Sequence, residues 1–425
     1  MIETIRNAWK VADLRKRILF TLMIIVLFRF GSKVPVPFLD ASVLQAYIAA
    51  NSGTIFGYID MLSGGAFSQA TLFAMSISPY INASIIVQLL TVGIPALEKL
   101  AKEGEEGRKK LTRYTRVLTV VLGMIQGYGM YAVLRKSGAV KFDSWFVACV
   151  IIASFAAGTA LLMWLAEQVN TNGIGNGISI ILFSGIVARL PATLAGVSQN
   201  LKLGTIHLWL VALIAIVAVG LIALVVVVTN AERRVPVQYA KRVVGRKVYG
   251  GQASHIPIKV NGTGVLPVIF AQSFLSIPAT IASFFPAPAE GSFMESFLNA
   301  LQYTSPVYAC FYALFIIGFS FFYISMTYNP VEIANNLKKN GGFIPGIRPG
   351  RPTSDFIAKI LGKITFFGSF FLVFIAVLPI LCSIFLPVNV SLGGTTIIIL
   401  VGVALETVKQ MESMMLMRHY KGFLE

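Results

Sequence analysis

The residues that most often carry chemistry are few in this chain, and their spacing argues against it. Cys149, Cys310 and Cys382 stand far apart inside apolar segments, without the spacing of a disulfide framework or a thiolate metal site. His207, His255 and His419 are isolated, with no HExxH and no cysteine partner, so no metal site is expected. No Walker sequence occurs, and neither paired aspartates nor a Ser and His at usable spacing fall inside the apolar segments. The expectation is no enzyme, no cofactor and no metal. What the chain does offer is positive charge: Lys and Arg total 35 against 18 Asp and Glu, a formal +17. In the stretch RRVPVQYAKRVVGRKVYGG, Arg242 precedes Arg246 and Lys247, which stand beside Tyr249. That grouping suits phosphate contacts with aromatic support, as on RNA.

The elements that must position these groups are membrane helices. The chain has 425 residues, of which 56% are hydrophobic and 12% charged, about half the roughly 25% charge of a soluble domain. Apolar blocks fall near residues 18–36, 70–92, 113–134, 145–166, 176–196, 206–229, 263–285, 306–327, 357–386 and 393–413. Each is close to the ~20 residues a helix needs to cross about 30 Å of hydrocarbon. Open strand edges have no partner in lipid, so helices are predicted, and no stretch alternates as a membrane barrel would. The reading is an all-α polytopic protein of ten spans, which excludes a soluble enzyme and a DNA-binding domain.

Basic residues orient it. They concentrate at the N-terminus, after span two (Lys99–Arg116), after span six (Arg233–Lys259), after span eight (Lys338, Arg348 and neighbours) and at the C-terminus. With ten spans these lie on one side, and the positive-inside rule makes it the cytoplasm, with both termini there. The rule does not account for the length of loops 230–262 and 328–356, far more than a helix connection needs. The first has period-2 stretches around Val244–Gly245, consistent with a basic, partly β-structured finger. Such loops suit docking of a polyanion or an acidic partner better than simple solvation.

The interior is poor in ionisable groups. Arg29 and Arg189 lie toward outer span ends and Glu406 toward an inner end, where snorkelling or local pairing accounts for them. Between spans one and two, IFGYIDMLSGGAF (Ile55–Phe67) is too apolar for a simple loop. It predicts a short helix with Phe56, Ile59 and Leu62 on one face, stopping at Gly64–Gly65. Such a helix either lies at the interface or folds back into a cavity.

From span two onward the chain resembles the SecY family of protein-conducting channels. The resemblance is carried by SPYINASIIVQLL (Ser78–Leu90), KEGEEGRKKLTRYTR (Lys102–Arg116), GIGNGISI (Gly173–Ile180) and ERRVPVQYAKR (Glu232–Arg242). It continues through IPIKVNGTGVLPVIFA (Ile256–Ala271), PATIASFF (Pro278–Phe285), NPVEIANNLKKNGGFIPGIRPG (Asn329–Gly350) and GGTT (Gly393–Thr396), in family order over nearly the whole chain.

The resemblance implies two inverted five-helix halves, 1–200 and 201–425, forming an hourglass with a lateral gate between spans two and seven. It implies a waist closed by an aliphatic ring, here Ile81, Ile85, Ile186, Ile269 and Ile399, and a plug at Ile55, Phe56, Ile59, Leu62 and Phe67. Gln88, Gln272 and Ser273 are candidate polar groups of the gate. Arg242, Arg246, Lys247, Lys338 and Arg348 become the docking face for a ribosome or the SecA motor ATPase. SecE and SecG are the implied small membrane subunits, signal-bearing polypeptides the substrates, lipid the lateral exit, and a bacterial inner membrane the location. The chemistry agrees: an uncharged ring blocks ions yet has nothing to retain a passing polypeptide. The alternative is a secondary transporter of a small solute, which predicts a midplane ionisable site that the sequence does not supply.

Overall fold

The computed structural model describes residues 2–50, 60, 63–204, 207–239, 242–244, 247–249, 253–283, 292–302, 305–385 and 394–421. Helices α1 (Ile2–Lys10), α2 (Ala12–Gly31), α3 (Ala41–Ala50), α4 (Ser78–Gly93), α5 (Pro95–Lys102), α6 (Glu105–Lys136), α7 (Trp145–Asn172) and α8 (Gly177–Lys202) come first. After α9 (Leu208–Asn230) come strands β1 (Glu232–Tyr239), β2 (Arg242–Val244), β3 (Lys247–Tyr249) and β4 (Ala253–Lys259). Then follow α10 (Leu266–Ser283), α11 (Phe293–Ala300), α12 (Pro306–Thr327), α13 (Pro330–Lys339), β5 (Gly342–Phe343), α14 (Arg351–Phe385) and α15 (Gly394–Lys421).

Each of the ten apolar blocks holds a helix: α2, α4, α6 to α10, α12, α14 and α15. Among the described residues six are long and apolar enough to cross a membrane by themselves, namely α6, α7, α8, α9, α14 and the α12–α13 stretch. Two of the others depart from that length or composition for local reasons. Helix α2 opens among Asp13, Arg15, Lys16 and Arg17. Helix α4 has 16 residues, and the chain turns 103° between α4 and α5. Pro95 forces that turn, because the residue before a proline is pushed out of the helical region; Ile94 sits at φ −113°, ψ 112°.

Two boundaries differ from the apolar windows in instructive ways. Residues 70–77 are not helical but form a run of turns. They read as part of a span because Phe73, Ala74, Met75 and Ile77 are all buried. Here the backbone is held by the segment after α2: Val36 N–H donates to Ala70 O at 2.9 Å and Leu72 N–H to Val34 O at 2.9 Å. Conversely α6 begins at Glu105 and α14 at Arg351, well before their apolar stretches. Charged straight-chain residues are good helix formers, so a span continues as helix into the polar phase.

Three apolar clusters fill the membrane region. One unites α2, α4, α7 and α8 with Phe270 of α10 and with Ile399 and Val403 of α15. A second unites α9, α10, α12, α14 and α15. The third packs α3 and the 63–75 segment against α6 and α7. Outside them, β4 and β5 flank β1 in an antiparallel sheet, with Val235 opposite Ile256 and Gln238 opposite Phe343. Strands β2 and β3 make a separate hairpin, Arg242 opposite Tyr249. Together β1 to β4 are the β-structured finger that the period-2 pattern predicts.

Candidate functional site

The five isoleucines come from four helices and meet in one apolar cluster. Ile81 and Ile85 are one turn apart on α4 and so share a face. Ile186 lies on α8, Ile269 on α10 and Ile399 on α15. Ile81, Ile85, Ile186 and Ile399 are buried and Ile269 is half-buried against them. Such a contact of branched aliphatic carbon repels water and offers an ion no ligand.

The GIGNG loop positions the α8 contribution. Asn176 caps α8, its Oδ1 accepting from Ile178 N–H at 3.1 Å and Ser179 N–H at 3.4 Å. A Cβ on Gly177 would lie 1.9 Å from the Ala166 carbonyl oxygen, so only glycine lets α8 start this close to α7. Ile174 N–H donates to Thr21 Oγ1 on α2 at 3.0 Å, and Gly175 N–H to Gln410 Oε1 on α15 at 2.6 Å. One short loop therefore ties together α2, α7, α8 and α15.

Of the plug residues, Ile55, Phe56, Ile59 and Leu62 lie outside the described residues. Phe67 is buried, but among Val36, Leu44 and Met130 in the third cluster; its neighbour Ala66 packs with the isoleucines. Sequence reasoning missed Asp60, which is completely buried. Its carboxylate pairs with Arg189 of α8, and its Oδ1 also accepts from Ser68 N–H at 2.7 Å. Arg29 Nη1 donates to Gly64 O at 3.4 Å. The signal was present: a lone acid in an apolar segment must find a cation, and Arg29 and Arg189 were the available ones.

At the expected gate, α10 lies beside both α4 and α6. Gln88 is half-buried, its Nε2 donating to Ser84 Oγ at 3.3 Å on the same helix. Gln272 is buried and faces α12, its Oε1 accepting from Tyr312 O–H at 3.4 Å. The half-buried Ser273 offers its carbonyl to Ser276 Oγ at 2.6 Å. None of these three bonds joins α4 to α10.

The structure joins the two long basic loops, which the sequence presents as separate. Through β5 the 328–356 loop adds a strand to the finger. Val235, Val237 and Ile258 of the finger pack with Leu337, Ile344, Ile357 and Leu361. Lys338 and Arg348 are exposed on this unit, and Arg348 is fixed at its carbonyl, which accepts from Thr353 Oγ1 at 2.8 Å. Arg242 and Lys247 lie in the β2–β3 hairpin, and Arg246 lies outside the described residues. At the base, Arg234 Nε donates to Glu232 Oε1 at 2.8 Å, which holds that carboxyl below its ordinary range. Thr4 Oγ1 donates to Glu412 Oε1 at 3.0 Å, so the first and last helices meet on one side.

Comparisons with known proteins agree with this architecture. A protein translocase subunit SecY from Streptomyces scabiei is 46% identical over the whole of both chains. A solved structure described as that of a protein conducting channel superposes with a TM-score of 0.66 at 18% identity, covering 94% of this chain and 92% of that one. Sec61 in a canine ribosome–channel complex from the endoplasmic reticulum superposes at 0.61 and 16%, covering the same shares. The family model described as SecY matches residues 71–408, and on that match and the full-length identity the chain belongs to the SecY family.

Proposed function

We propose that this multi-pass membrane protein is the pore subunit of a protein translocase. It passes unfolded secretory polypeptides across the membrane and releases apolar signal and transmembrane helices sideways into lipid. The observation that carries this reading is the meeting of Ile81, Ile85, Ile186, Ile269 and Ile399 in one cluster drawn from both parts of the chain. In the proposal these five are the constriction, residues 55–67 the plug above it, and α4 and α10 the walls of the gate. The halves are 1–200 and 201–425; in support, the second cluster draws only on helices of the latter.

No Walker sequence occurs, so in this reading the driving force comes from a partner on the basic face. A translating ribosome or SecA fits Arg242, Arg246, Lys247, Lys338 and Arg348, with SecE and SecG as membrane partners. The location is a bacterial inner membrane with both termini cytoplasmic. The solute-transporter alternative gains no support, because Asp60, the buried charge among the described residues, is already paired with Arg189.

A photo-crosslinking amino acid in place of Ile81 or Ile269, with a stalled secretory chain engaged, tests the reading. Adducts to the nascent chain are expected at both positions. Their absence at both, while the same chain is held by the translocase, would overturn it.

A further inference from the structure

We propose that Asp60 and Arg189 form a charge latch that holds the plug shut, and that its strength sets how readily the channel opens. The proposal rests on reading residues 55–67 as the plug. Asp60 is completely buried and Arg189 has 36% of its side chain exposed. Asp60 Oδ2 and Arg189 Nη1 face one another, and among the described residues neither atom has a further hydrogen-bond partner. A buried carboxylate left without its cation is strongly unfavourable, so this contact holds the segment in place.

The carboxylate does two jobs at once. Its Oδ1 accepts from Ser68 N–H at 2.7 Å, while the Asp60 carbonyl accepts from Gly65 N–H at 2.8 Å and Ser63 Oγ at 3.0 Å. These bonds close the 60–68 turn, and Oδ2 then fastens the closed turn to α8. Two further contacts agree in direction. A Cβ on Gly64 would lie 2.8 Å from the Gly185 carbonyl oxygen and 2.9 Å from its Cα, so the turn seats directly on the α8 backbone. Gly64 holds φ +67°, a left-handed conformation that suits glycine. Arg29 of α2 reaches its carbonyl. The turn is thus held by α2 and α8, helices that share the first cluster with Ile186. In the plug reading, moving this turn requires Arg189 to let go.

The two ends of the latch are unequal, and this gives the test its signature. Removing the acid leaves an arginine whose Nη1 is buried but whose side chain is partly exposed, so that it can turn toward water. Removing the arginine leaves a buried acid that water does not reach, and the turn must leave to hydrate it. The experiment measures resting ion current of the full chain reconstituted in planar bilayers without substrate. Arg189→Gln is expected to raise the current roughly tenfold or more, and Asp60→Asn by a smaller factor. Asp60→Asn keeps Oδ1 for Ser68 N–H and so separates the ion pair from the turn. The double variant is expected to leak no more than Arg189→Gln alone, because the two changes break one interaction. Arg189→Lys is expected to keep most of the seal, which a role in packing alone would not predict.

Resting currents equal to the parent in both single variants would overturn the latch, as would a double variant whose effects simply multiply. Deleting residues 55–67 separates the two levels. A leak on deletion with none in the single variants rejects the latch and keeps the plug; no leak on deletion rejects both. Melting in detergent identifies a variant that leaks only because it is misfolded, and for that case Asp60→Asn, nearly isosteric, carries the test.

Discussion

Ile399 shows what a residue's surroundings add to its chemistry. It is 2% exposed and packs with isoleucines from three other helices. Replacing it by asparagine puts an amide into this contact at a cost of about 1–3 kcal/mol, and gives water something to bind at the constriction. Ile399→Asn is expected to raise the resting conductance several-fold in planar bilayers and to admit substrates with defective signals. Ile399→Val should keep the seal at about 0.5–1.5 kcal/mol of stability. An unchanged conductance and unchanged signal selectivity in Ile399→Asn would remove Ile399 from the ring. Chemistry by itself does not mark these isoleucines, because a lipid-facing isoleucine is the same side chain; the family motifs mark them. Asp60 is the opposite case. Its type and apolar setting demand a partner, but the choice between Arg29 and Arg189 depends on how α2 and α8 pack.

At the scale of elements, hydropathy located a helix in each of the ten apolar blocks, because lipid admits little else. It missed the edges for two separate reasons. Burial, not helicity, made residues 70–77 apolar, and helix propensity carried α6 back to Glu105 across charged residues. The finger hairpin was legible because alternation survives in a strand that is solvated on one side. Its union with the 328–356 loop was not, since Gln238 and Phe343 meet only through long-range strand pairing. Gly177 offers a test of how tightly elements are set. A methyl there collides with the Ala166 carbonyl at 1.9 Å, so Gly177→Ala must push α8 away from α7 and disturb Ile186. A loss of about 1–3 kcal/mol is expected, read as a lower melting temperature in detergent with an increased leak. Gly220→Ala on α9 is the control, because a Cβ there meets nothing within 4 Å. Helix propensity then favours alanine by up to about 1 kcal/mol. Equal melting of the two variants would mean that the α7–α8 contact yields without cost.

For the whole molecule, the proposed reading gives the +17 and the isoleucine cluster separate tasks, and salt is the means of telling them apart. Docking through Arg348 and its neighbours to a polyanion such as ribosomal RNA would release counterions, so affinity would fall linearly with salt on logarithmic axes. Sealing by Ile85 and Ile399 involves no charge and has no reason to follow that law. Ribosome binding to proteoliposomes, measured by flotation between about 50 and about 200 mM salt, is expected to weaken steeply. The substrate-free leak, corrected for bulk conductivity, should stay level. Arg348→Glu removes one phosphate contact and adds a repulsion at an exposed position. It should lower affinity, flatten the salt slope by about one and abolish translocation, with melting shifted by less than about 0.5 kcal/mol. If Arg348→Glu left affinity, slope and translocation as they were, Arg348 would not belong to the docking face. If affinity proved independent of salt, the charge on this side would owe its place to topology alone, since the positive-inside rule requires basic loops whether or not anything docks on them.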